Sequence, residues 1–173
     1  ADSADGDMTG ELDRVDPAAT GDSTASESAL LTTGSASVIT AATTTTGSNT
    51  SVAIGGTLSF SHTPGSGANR LLLVAVSVGN TTADDSDSDP GTVTGVTFGG
   101  TAMTQVAAAS SGAAVRTYIY RLVNPSSASA NVVVSIGAKA SSVTASATTF
   151  NGVHQTTPLG TSSNFVATGG DYF

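Results

Sequence analysis

Cysteine is absent from the 173 residues, and with it go disulfides, thiolate catalysis, zinc–sulfur sites and iron–sulfur clusters. Tryptophan is absent too, and aromatics are only 5% of the chain, which leaves little material for a stacking surface. Lys and Arg together number 5 against 13 Asp and Glu, for a formal net charge of -8. That balance argues against nucleic acid and against an anionic membrane surface as partners. Long apolar runs are missing as well. The longest, Leu71-Leu72-Leu73-Val74-Ala75-Val76, is the size of a strand, so no membrane insertion is expected.

Hydroxyls take the place of the missing charge: Ser and Thr make up 53 residues, while charged residues are only 10%. The charge that exists is unevenly placed. Residues 1–29 hold eight acidic residues against Arg14, a net of -7, and residues 30–173 sum to -1. The leading segment has few large apolar side chains and cannot bury enough surface by itself to offset its ordering entropy. Residues 1–34 are therefore expected to be an acidic, low-complexity N-terminal arm. Residues 35–173 are expected to be a β-sandwich domain, with 35–54 a donated or an edge strand.

The body reads as strand throughout. Runs of Val, Ile, Thr, Phe and Tyr alternate with clusters of Gly, Ser, Asn and Pro. Strands are predicted at 35–41, 51–54, 57–62, 71–78, 93–98, 102–107, 114–123, 131–136, 143–150 and 164–167. The run at 71–78 is apolar on both faces and is expected to be central. Along 115–122, Arg116, Tyr118, Tyr120 and Leu122 share one face. Gly99-Gly100 has the spacing of a two-residue hairpin, where glycine accepts positive φ. Asn124-Pro125 ends a strand because proline cannot donate to a ladder. Strands at this spacing predict an all-β, antiparallel two-sheet sandwich, immunoglobulin-like or jelly-roll, with an extended N-terminal arm.

The succession of segments 57–64 (TLSFSHTP), 69–78 (NRLLLVAVSV), 93–106 (VTGVTFGGTAMTQV), 117–124 (TYIYRLVN), 130–136 (ANVVVSI) and 150–161 (FNGVHQTTPLGT) resembles an uncharacterised β-sandwich module. That module occurs in secreted and surface proteins of bacteria and archaea and in some viral structural proteins. The resemblance implies an extracellular sandwich with a structural or adhesive role, and it carries no catalytic residues. In the module the chain usually continues through further strands after the PLGT segment, so either the sequence stops short of the module's end or the sandwich lacks a strand that something else must supply.

Groups that could do chemistry are scarce. The only histidines are His62 and His154, and each is expected to be structural. The carboxylates lie in the leader, in one loop and at Asp171, and no G-x-S-x-G elbow is present. No enzyme and no catalytic residue are expected. The loop Asp84-Asp85-Ser86-Asp87-Ser88-Asp89-Pro90-Gly91 spaces Asp85, Asp87 and Asp89 as hard oxygen ligands for calcium. Pro90 and Val96 stand where an EF-hand requires Gly and Glu, so the alternatives are a looser calcium site or a solvated acidic loop. No other cofactor is expected. Asn49 and Asn80 begin N-x-Ser/Thr acceptors for N-glycosylation, and 43–46 is a candidate O-glycosylation tract. Lys139, the single lysine, invites an isopeptide bond, although a solvated lysine is the simpler reading. Tyr118, Tyr120, Tyr172 and Phe173 could form a sugar-stacking face or, for the first two, pack within a sheet.

A start at Ala1 followed by acidic residues fits removal of a signal peptide. With the hydroxyl-rich surface and scarce lysine, it predicts an extracellular or cell-surface location. The leading functional expectation is a structural subunit of an extracellular filament or surface layer, assembling with itself by β-strand donation. Val38, Ile39, Thr40 and Ala41 are the candidate subunit interface. The alternatives are an adhesive or glycan-binding surface module and a viral decoration or fibre protein.

Overall fold

Short runs of β-branched and aromatic residues, divided by turn residues, build strands and nothing else. The computed structural model describes residues 38–79, 91–111, 115–138 and 140–161, and all the regular structure among them is strand. In chain order the strands are β1 (Thr40–Asn49), β2 (Thr57–His62), β3 (Leu71–Gly79), β4 (Val93–Phe98), β5 (Thr101–Ala102), β6 (Thr104–Ser111), β7 (Val115–Val123), β8 (Ala130–Ile136) and β9 (Ser142–Asn151). They form two antiparallel sheets, ordered β1-β9-β3-β7-β6 and β2-β8-β4-β5.

Only Met103 separates β5 from β6, and the chain passes there from the smaller sheet to the larger. Counted as one strand, the two halves leave eight strands in a nested pairing. The first pairs with the eighth (β1–β9), the second with the seventh (β2–β8), the third with the sixth (β3–β7) and the fourth with the fifth (β4–β5). A long hairpin rolled over on itself gives this order, which is that of a jelly roll. Of the two sandwich types the sequence allowed, the strand order selects this one.

The core lies between the sheets. Leu72, Val74, Val76 and Val78 of β3 face Val132, Val134 and Ile136 of β8, with Val96 and Phe98 of β4 beside them. β3 is the middle strand of its sheet, as expected; its inward face is buried throughout, while the other face runs from buried Leu71 toward solvent. Leu73 is half-buried, and Ala75 and Ser77 are exposed. Tyr118 and Tyr120 turn inward from β7, their ring centroids 6.5 Å apart. They are core residues and do not form a sugar-stacking face. Gly99 and Gly100, at φ 55° and 81°, close the β4–β5 hairpin as the sequence predicts.

The strand boundaries differ from expectation chiefly at the start. β1 begins at Thr40 and runs through the threonine tract to Asn49, so 43–46 is strand. Residues 51–54 contribute only a bridge between Val52 and Ala140. The expected strand at 164–167 lies outside the described residues.

Candidate functional site

Every Asp and Glu of the chain lies outside the described residues, whose only formal charges are Arg70, Arg116 and Arg121. Among the described residues no three metal-ligating side chains come together. The calcium candidates Asp85, Asp87 and Asp89, the glycosylation candidate Asn80, and Lys139 also lie outside them. Asn49 is exposed at the end of β1, where its Oδ1 accepts the Ser51 N–H at 3.1 Å.

The histidines occupy unlike environments. His154 is exposed beyond β9 and is held by Thr157. His62, 1% exposed, ends β2 and reaches across to the other sheet. Its Nδ1 lies 2.8 Å from Thr45 Oγ1 on β1, and its Nε2 lies 2.8 Å from Thr149 Oγ1 on β9. Phe98 meets the ring edge-on at a centroid distance of 6.1 Å. Burial pushes the His62 pKa below its ordinary value of 6.5, because charge on this ring would lose its hydration. One nitrogen donates and the other accepts in the neutral ring, and hydroxyls can answer both. The cluster is a polar clamp between sheets, which fits the structural role expected of His62. Its partners Thr45 and Thr149 had no sequence signal beyond lying in hydroxyl-rich strands.

Beside the clamp the two sheets close tightly. Gly47 of β1 lies against the Phe60 ring of β2. A Cβ at position 47 would fall 2.6 Å from Phe60 Cδ1. The inner positions of β1 are thus Thr43, Thr45 and Gly47 rather than large apolar residues, which is why the strand escapes a hydrophobic pattern.

The candidate interface residues divide into two pairs. Thr40 and Ala41 pair with Asn151 and Phe150 of the same chain, so β1 is an edge strand of its own sheet. Val38 and Ile39 precede the pairing and are 77% and 60% exposed. The opposite edge of the five-stranded sheet is β6. Neither β1 (TAATTTTGSN) nor β6 (TQVAAASS) contains a charge or a proline. Charge and proline are usual devices by which a sheet edge is kept from pairing with another chain, and among the described residues each strand carries a single bulge instead. The outer face next to β1 is equally uncharged. Thr44, Thr46 and Ser48 stand opposite Thr148, Ser146 and Thr144 of β9, and the Thr44 and Thr148 hydroxyls are 3.1 Å apart.

No helix among the described residues is long and apolar enough to cross a membrane. Comparisons with protein-family models, with curated proteins and with solved structures return no match.

Proposed function

We propose that the chain is a structural subunit of an extracellular assembly, a filament or surface layer, whose copies join by main-chain pairing at the edges of the five-stranded sheet. The observation that carries this reading is that both edges of that sheet, β1 and β6, are free of charge and of proline. An edge strand presents unpaired N–H and C=O groups, and a long uncharged edge attracts another strand. The exposed, β-branched Val38 and Ile39 lengthen the β1 side as a natural pairing segment.

Each of the eight jelly-roll positions is filled from the chain's own residues, so strand addition at an edge fits better than filling a gap. β1 and β6 are different surfaces, and joining one to the other is head-to-tail. Such contacts do not close and propagate as a fibre or layer. The reading assigns no catalysis.

The test is electron microscopy and sedimentation of the full chain beside two variants, Thr44→Lys with Ser48→Lys on β1, and Ser110→Lys on β6. These positions are exposed, so folding should survive. The wild type is expected to form polymers and both variants to remain monomeric with unchanged Tm. Polymers that persist in both variants would sink the proposal.

A further inference from the structure

One end of the sandwich gathers polar groups that neither the core nor the sheet edges use. A groove of about 500 Å3 opens there, lined by Ile39, Asn69, Val153, His154, Gln155 and Thr156. That volume falls in the roughly 300–1,000 Å3 range of small-ligand sites. Its walls are laced together by the backbone. Gly152 N–H donates to Ala68 O and Val153 N–H to Asn69 O, each at 3.0 Å. Asn69 itself holds φ 53°, a left-handed conformation that asparagine tolerates better than most residues.

The polar groups are set in defined roles. His154 Nδ1 accepts the Thr157 N–H at 3.0 Å and lies 2.9 Å from its hydroxyl. In the neutral ring that acceptor role puts the proton on Nε2, which becomes a donor. Gln155 Nε2 donates to Val153 O at 2.8 Å and to Arg70 O at 3.3 Å, which fixes the amide and leaves Oε1 as an acceptor. Asn69 and Thr156 are exposed and add an amide and a hydroxyl, while Ile39 and Val153 supply an apolar wall. The nearby Arg70 is already engaged, through Nη1 to Gly67 O at 2.6 Å and Nε to Pro125 O at 3.0 Å.

We propose that this groove binds a neutral saccharide, one or two sugar units of a glycan. The donors and acceptors suit a ligand rich in hydroxyls, and the apolar wall suits the C–H face of a sugar ring. An anion would find the neighbouring Arg70 guanidinium already committed. A wholly apolar ligand would strand the polar groups at a cost of about 1–3 kcal/mol each. Ile39 borders both this groove and the proposed pairing segment, and the variants that test the groove change neither Ile39 nor either edge strand.

The experiment is a glycan array probed with the full chain, carrying neutral, sialylated and sulfated glycans. Hits are then titrated by NMR while the His154 imidazole signals are followed. Neutral glycans are expected to bind and to shift those signals. Asn69→Gly, which keeps the left-handed backbone accessible, and Thr156→Lys, which fills the groove from an exposed position, should each weaken binding about tenfold or more, as expected for loss of a good hydrogen bond. If Asn69→Gly lowers Tm, Thr156→Lys decides. An array without neutral hits, a preference for anionic glycans, or neutral binding untouched by Thr156→Lys overturns the proposal.

Discussion

Neutral His62 joins Thr45 and Thr149 across the two sheets with both ring nitrogens satisfied, so a proton on that ring adds a buried charge and no new bond. The folded-state pKa is lowered by burial, and the unfolded chain binds the proton more readily. The His62 contribution to stability is therefore complete above about pH 6.5 and is lost as the pH falls from there toward the lowered value. Denaturant melts between about pH 7.5 and 5 should show stability falling with pH, and His62→Gln should flatten that slope. His62→Ala should cost on the order of 3 kcal/mol, from the emptied volume and the stranded Thr149 hydroxyl. Gly47 is constrained by the Phe60 ring. Gly47→Ala should destabilise by about 1–3 kcal/mol through overpacking, and the double variant with Phe60→Leu should recover part of the loss. A Gly47→Ala protein as stable as wild type would mean that the sheets are not closed at this point.

At the scale of elements, the strands with a strong apolar rhythm are the ones the sequence reveals. β3, β4 and β8 carry Val and Leu at the inward positions, and their predicted limits lie within a residue of the observed ones. β1 was placed too early because its inward side is Thr43, Thr45 and Gly47, chosen to fit beneath Phe60 and beside His62. A hydroxyl or a hydrogen facing a partner distant in sequence leaves no periodic mark. The sequence pattern likewise makes 102–107 one strand and hides the change of sheet at Met103, since pattern alone cannot say which sheet a strand pairs in. The groove residues Asn69, Gln155 and Thr156 were not singled out either, because two loops and the end of β9 bring them together only in the fold. The β4–β5 hairpin was legible, for its glycines are demanded by backbone geometry alone. Gly100→Val, which forces a β-branched residue into φ 81°, should cost about 1–2 kcal/mol in thermal or chemical melts. Loss within a few tenths of a kcal/mol would show that the hairpin relaxes into another turn.

At the scale of the whole molecule, charge is uneven along the sequence, with a net -7 in residues 1–29 and -1 in residues 30–173. If copies pair at the sheet edges as proposed, the overall charge of -8 opposes their approach, and β1 and β6 add no charge of their own. Raising salt from about 20 mM to about 500 mM should therefore promote assembly, because it screens the repulsion and weakens no ion pair in the interface. Light scattering would show this, and assembly that dissolves in salt would point to an interface built on charges instead. The most direct measurement is amide hydrogen exchange on the full chain, compared between assembled and dispersed material. Edge pairing predicts that exchange slows within β1 and β6 on assembly while β3, already paired on both sides, is unchanged. Equal exchange of β1 and β6 in the two states would contradict it.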